Sequence, residues 1–176
     1  IENGADVVNA SWSCSPACPD NPLAREILAV AHEANVAFVT SAGNDGLDVV
    51  RNEPERTTAA ITVGSFGVDD QLSYFSNSGW LMDLVAPGGG PATGAGSVPA
   101  RNILSLAAKA LPALQEFFRV SDDYYRVAGT SMAAPHVSGA VALLGAAEPG
   151  IAVAEIHRRL RRSARDLPPE GHDPIH

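Results

Sequence analysis

The sequence has few of the features that are typical of membrane, fibrous or nucleic-acid-binding proteins. Its 176 residues are 6% aromatic and 18% charged, and the formal net charge is −8. No apolar run approaches the roughly 18 residues that a membrane-spanning helix needs. No basic cluster is interleaved with aromatic residues, and the arginine-rich run at positions 158–162 has the spacing of a solvated helix face. We therefore expect neither a nucleic-acid partner nor a membrane.

Cysteine is scarce as well, with only Cys14 and Cys18 in a proline-rich stretch. The pair can close a small disulfide, or it can remain as two free thiols. It supplies half of a metal site at most, because no nearby histidine or cysteine completes four ligands. A disulfide favours an oxidising compartment, so we predict an extracellular or secreted protein.

What the sequence does contain is an alternation of short apolar strands and helices. Strand patterns are found at residues 5–13, 36–46, 59–67, 82–90 and 103–107, and helical patterns at 22–35, 130–147 and 151–165. The first helical pattern predicts one apolar face made of Leu23, Ile27, Leu28, Ala31 and Ala34. Apolar strands that alternate with helices predict an α/β fold, with a mostly parallel central sheet, helices on both faces and a single domain.

Three segments carry residues suited to nucleophilic chemistry. Ser131 stands where a loop enters a helix, and the positive end of that helix favours developing negative charge. The competing interpretation is that Thr130 or Ser131 is simply a helix N-cap. Asn44 ends an apolar strand, where its amide can donate to an oxyanion or merely form a turn. Residues 9–13 end another strand near the same edge and can pair with an extended peptide.

Taken together, these segments resemble the subtilisin-like serine proteases, the subtilase family (peptidase family S8). The stretch GTSMAAPHVSGAVALL resembles the family's serine motif almost residue for residue, and it follows VVNASWS and VAFVTSAGNDG in the family's order. The resemblance implies peptide-bond hydrolysis through an acyl-enzyme on Ser131, with Asn44 and the Ser131 N–H as oxyanion donors. It also implies that Ser41, Ala42 and Gly43 form one wall of the S1 pocket. Ser11, Trp12 and Ser13 would form the other wall and pair with the substrate backbone.

The catalytic base and its orienting carboxylate are not found in this sequence. Family members carry them in an H-G-T-H type and a D-[ST]-G type motif, both before the substrate-binding strand. The resemblance therefore implies a partial peptidase domain over residues 1–176, incomplete at both ends and inactive alone. A complementary N-terminal segment would supply the aspartate and histidine, and the isolated chain would tend to self-associate. His136 is not a replacement because it lies roughly 140° round the helix from Ser131, and Asp83 matches a non-catalytic position.

Two departures from the family pattern and two other functions stay open. Ser13 stands where many members have glycine, and Glu55 either favours a basic P1 residue from the base of the S1 pocket or faces solvent. A non-catalytic peptide-binding module and a transpeptidase are the alternatives to a hydrolase acting on polypeptides. Calcium is suggested by the resemblance alone, because the acidic pairs at 69–70 and 122–123 are better explained as turns. No metal ligand is predicted.

Overall fold

The structure is a computed structural model that describes residues 2–12, 21–51, 58–90, 101–107 and 118–167. Predictions on Ser13, Cys14, Cys18 and Glu55 fall outside the described residues. In chain order the elements are β1 (Val7–Ala10), α1 (Pro22–Glu33), β2 (Ala37–Ser41), a short 3-10 helix (Val49–Arg51), β3 (Ile61–Phe66), β4 (Leu84–Pro87), β5 (Ile103–Leu106), β6 (Tyr124–Val127), α2 (Thr130–Ala147) and α3 (Val153–Ser163).

The first four strands form one parallel sheet in the order β1-β2-β3-β4. The register pairs Ala10 with Thr40, and Thr40 with Thr62, so the carboxyl ends of neighbouring strands meet at one edge. The predicted α/β class with a mostly parallel sheet is confirmed. A separate antiparallel pair is formed by β5 and β6. None of the helices in the described part of the chain combines the length and the apolar character needed to cross a membrane.

Helices cover both faces of the parallel sheet because successive side chains of a strand point to opposite faces. On one face α2 and α3 cover a cluster of Ala37, Val39, Ile61, Val63, Ala86, Ala133, Ala134, Val137, Val141, Val153 and Ile156. On the other face α1 covers a smaller cluster, in which Leu28 packs with Phe38. Asn21 begins α1 by accepting a hydrogen bond from the Ala24 N–H at 3.2 Å.

The predicted apolar face of α1 is partly wrong. Leu28 and Ala31 are buried, but Leu23 and Ile27 are 64% and 51% exposed, and Ala34 is exposed as well. The reason is that α1 packs mainly against β2 through a small cluster of residues, so only a narrow strip of the helix is covered by the described residues. Strand β6 was not predicted, because YYRV shows no alternation of apolar and polar residues.

Candidate active site

The predicted site residues are brought to the carboxyl edge of the parallel sheet. Ser11 and Trp12 follow β1, residues 42–44 follow β2, and α2 begins at the same place. Parallel strands place their carboxyl ends together, and loops at that edge are where α/β proteins bind ligands. A groove of about 320 Å³ opens beside the start of α2, lined by Ile103, Leu104, Ser105, Ser131, Met132, Pro135 and His136. Ser131 is therefore reachable from solvent.

Ser131 and Ser11 are joined by two reciprocal hydrogen bonds across 120 residues of sequence. The Ser131 hydroxyl donates to the Ser11 carbonyl oxygen at 3.1 Å, and the Ser11 hydroxyl donates to the Ser131 carbonyl oxygen at 2.8 Å. Pro135 explains why that second acceptor is available. Proline has no N–H, so the Ser131 carbonyl lacks its partner four residues along the helix. The proline thus lets the end of β1 attach to the first turn of α2.

Asn44 is attached to the same helix start through Thr130. The Asn44 Oδ1 accepts from the Thr130 N–H at 2.8 Å and from the Thr130 hydroxyl at 3.0 Å. The Gly43 N–H in turn donates to Thr130 Oγ1 at 3.2 Å, and Thr130 is fully buried. With its oxygen held in this way, Asn44 has an Nδ2 that makes no hydrogen bond to any described residue. That amide group is a donor available to a ligand.

The helix-cap interpretation of this segment is wrong. The N-cap of α2 is Gly129, which makes no side-chain cap bond, and Thr130 and Ser131 lie inside the helix. Asn44 supplies the capping acceptor from another element by binding the Thr130 N–H. The Ser131 hydroxyl is consequently free of a capping role, and the Ser131 N–H is among the first amides of the helix, which have no intrahelical acceptor.

The predicted S1 wall at residues 41–43 is buried in this structure. Ser41 and Ala42 are 1% and 0% exposed, and Ala42 packs in a cluster with Val49 and Met82. Trp12 on the opposite segment is 57% exposed. The assignment of these residues to the two walls stays a prediction.

No histidine of the described residues is hydrogen-bonded to Ser131. His136 lines the groove, but its Nδ1 donates to the Met132 carbonyl oxygen at 2.8 Å. His157 lies on α3, and its Nε2 donates to Asp83 Oδ1 at 2.7 Å. The other carboxylate oxygen of Asp83 accepts from the Thr62 N–H at 2.9 Å, so Asp83 fastens α3 to the sheet. His172 and His176 lie outside the described residues.

Sequence reasoning missed two residues that hold this site in place. Thr130 was considered only as a cap, and Asn77 was not singled out although it is fully buried beside the loop that follows β2. Both act through contacts with residues distant in sequence, which no local pattern reveals.

Among the residues that the structure describes, no three histidine, cysteine or acidic side chains converge as metal ligands.

Comparison with known proteins gives a consistent set of similarities. A model of the subtilase family matches residues 1–175. The major intracellular serine protease of Bacillus subtilis is 36% identical over 148 residues, which are 82% of this chain and 38% of that protein. The extracellular serine proteinase of a Thermus species is 38% identical over 113 residues, which are 64% of this chain and 22% of that protein.

A solved protease structure from Pseudoalteromonas arctica has the same architecture. It superposes with a TM-score of 0.81 at 29% identity, and the match covers 96% of this chain and 47% of that one. The chain therefore spans less than half the length of each of these similar proteins.

Proposed function

This chain belongs to the subtilase family, and from that premise we propose that it carries the nucleophile and oxyanion donors of a serine endopeptidase. The substrate is a polypeptide, and the reaction is hydrolysis of a peptide bond through an acyl-enzyme on Ser131. One observation carries this proposal. Asn44 lies beside the start of α2 with its Oδ1 held by Thr130, the residue before Ser131, and its Nδ2 has no hydrogen-bond partner among the described residues.

In the proposed reaction the Ser131 Oγ attacks the carbonyl carbon of the scissile bond, and its proton passes to a histidine nitrogen. The 3.1 Å hydrogen bond from this hydroxyl to the Ser11 carbonyl must break first. The substrate oxygen becomes an oxyanion that accepts from Asn44 Nδ2 and the Ser131 N–H. The C–N bond then breaks, and the amine leaves with the proton from the histidine. Water attacks the resulting ester by the same route and releases the acid.

We propose that a complementary N-terminal segment, outside residues 1–176, supplies the histidine and the aspartate that orients it. This is supported by the partners of the described histidines, since His136 binds a main-chain carbonyl and His157 binds Asp83. A serine hydroxyl without a base is a weak nucleophile. The chain by itself is then inactive.

Peptide hydrolysis by this chain alone, and by the chain joined to such a segment, tests the proposal. The joined protein should cleave a chromogenic peptide, and the chain alone should not. Ser131→Ala in the joined protein should lower kcat on the order of 10⁶-fold, the size measured in subtilisin, a member of the same family. Ser163→Ala removes a hydroxyl at the far end of α3 and serves as the control. Peptide binding without cleavage by the joined protein would instead favour a non-catalytic binding module.

The compartment and the cofactor remain separate predictions. The similar proteins include one named intracellular and one named extracellular, so family membership does not fix the compartment. We propose an extracellular location, as Cys14 and Cys18 predict, and calcium as a cofactor, as the family resemblance suggests.

A further inference from the structure

Asn77 is a buried polar side chain that the reaction itself does not use. It lies in the loop between β3 and β4 and is 0% exposed. Burying an amide group is costly unless its hydrogen bonds are made inside the protein. Its partners therefore show what it stabilises.

Among the described residues, the hydrogen-bond partners of the Asn77 side-chain amide lie in the loop that follows β2. Its Nδ2 donates to the Ala42 carbonyl oxygen at 2.9 Å. Its Oδ1 accepts from the Asp45 N–H at 3.0 Å and from the Leu47 N–H at 2.9 Å. The Asn77 main-chain N–H also donates to the Gly43 carbonyl oxygen at 3.0 Å. These four bonds bracket Asn44 on both sides.

The loop needs such an external template because it has no regular hydrogen bonding of its own. Gly43 and Gly46 have φ values of +99° and +65°, a region that glycine enters without strain. The chain therefore turns too sharply at both positions to continue the ladder of β2. Without Asn77, the amides of Asp45 and Leu47 would lose their acceptor.

Asn77 is itself fixed to the sheet. The Ser76 hydroxyl donates to the Asn77 carbonyl oxygen at 2.9 Å. The same hydroxyl accepts from the main-chain N–H of Ser65, a residue of β3, at 3.0 Å. Buried hydrogen bonds therefore connect the loop, through Asn77 and Ser76, to β3, an inner strand of the sheet.

We propose that Asn77 is a positioning residue for the oxyanion donor Asn44. Thr130 orients the Asn44 side chain, whereas Asn77 fixes the backbone from which that side chain projects. An oxyanion donor is effective only when it is held in place before charge develops. A loose backbone therefore reduces the stabilisation of the transition state more than it reduces the affinity for the substrate. This inference rests on the proposed function, because it assigns Asn77 to the same reaction.

The consequence is a loss of kcat that depends on Asn44. In the joined protein, Asn44→Ala should lower kcat on the order of 10²- to 10³-fold, the range known for the oxyanion asparagine of subtilisin. Asn77→Ala should lower kcat roughly 10- to 100-fold, less than removal of the donor itself, with KM changed no more than about threefold. Added to Asn44→Ala, it should have almost no further effect, because the donor that it positions is already gone.

Asn77→Asp and Asn35→Ala complete the experiment. Asn77→Asp keeps the size of the side chain and both accepting bonds but loses the donor to Ala42, so it covers the case in which the alanine variant does not fold. Asn35→Ala is the control for the loss of an asparagine that bonds main-chain groups, since Asn35 bonds Ile151 and Val153 beside the end of α2 opposite to Ser131. The control should leave kcat unchanged below its unfolding transition.

Each outcome has one meaning. An inactive unsubstituted joined protein would overturn the proposed function and this inference with it. An active protein in which the effects of Asn77→Ala and Asn44→Ala on kcat multiply would overturn this inference alone. Equal losses of kcat in Asn77→Asp and Asn35→Ala would do the same, because they would reflect lowered stability only.

Discussion

Ser41 carries a buried hydroxyl that has no hydrogen-bond partner among the described residues. It is 1% exposed, and the alternation along β2 places it on the same face as Val39, under α2. An unsatisfied buried hydroxyl costs about 1–3 kcal/mol, so Ser41→Ala should raise the free energy of unfolding by about 1 kcal/mol. Urea unfolding of the purified chain would measure this as a higher midpoint with an unchanged slope.

Ser65→Ala is the matched control for Ser41→Ala. Ser65 is equally buried, but its hydroxyl lies 2.8 Å from the Ser73 hydroxyl and is satisfied. Removing it should lower the free energy of unfolding, because the Ser73 hydroxyl loses one of its partners. A Ser41→Ala variant as unstable as Ser65→Ala would contradict the reading of Ser41 as unsatisfied.

Individual site residues could be predicted where a local motif carries them. Ser131, Asn44 and Ser11 were found in this way, and the structure places them at one edge of the sheet. The roles of Thr130 and Asn77 could not be predicted, because they rest on bonds that span 86 and 35 residues of sequence. Such pairings exist only once the fold has formed.

At the scale of elements, α3 is held by a network of exposed ion pairs that should titrate in acid. Arg158 Nε and Arg159 Nε each donate to the Glu155 carboxylate at 2.7 Å, and Arg159 also binds Glu148 at the end of α2. Hydrogen bonds from Arg158 and Arg159 lower the pKa of Glu155 from 4.5 to about 2. A lowered pKa in the folded state means that the contribution to stability is complete above pH 4.5 and is lost as the pH falls toward 2.

The Glu155→Gln variant isolates this contribution. The difference in unfolding free energy between the unsubstituted chain and the variant should be largest near neutral pH, shrink below pH 4.5 and vanish near pH 2. High salt should reduce it, because the pairs are exposed. Urea unfolding at a series of pH values measures the difference, and a value that stayed constant from pH 6 to pH 2 would contradict the assignment.

Helix α2 was predicted with its observed bounds, residues 130–147, because its start and its small apolar residues form one continuous pattern. The face of α1 was predicted too broadly, because periodicity shows which residues are apolar and not how much of the sheet lies beneath them. Strand β6 pairs with β5 across a long connection, and that pairing has no signature in YYRV itself.

At the scale of the whole molecule, exposed apolar surface should make the isolated chain associate. Leu23, Ile27 and Val30 form a stripe at helical spacing on α1 and are 64%, 51% and 49% exposed. Within the described residues β1 is an edge strand, with one side unpaired. Both features favour intermolecular contact.

Sedimentation equilibrium of the purified chain should therefore show self-association that grows with concentration. Ile27→Lys should weaken it, because a charge in the stripe opposes burial of that surface. Glu26→Lys, at the neighbouring exposed position, is the charge control. A stable monomer over the whole concentration range would contradict the prediction.

The overall architecture could be predicted because alternating apolar strands and helices permit few arrangements other than a covered parallel sheet. The antiparallel pair of β5 and β6 lies apart from that sheet, and residues 103–107 were recognised as a strand without a partner. Strand order within the sheet follows from packing and not from any single segment.

The most direct test of the central claim is to locate the covalent adduct that a fluorophosphonate forms with the joined protein. The reagent reacts with an activated serine hydroxyl, so mass spectrometry of the digested protein should place the adduct on Ser131. The adduct should be absent from the chain alone and strongly slowed in the Asn44→Ala variant. An active protein that carried the adduct on another serine, or carried none, would contradict the assignment of Ser131 as the nucleophile.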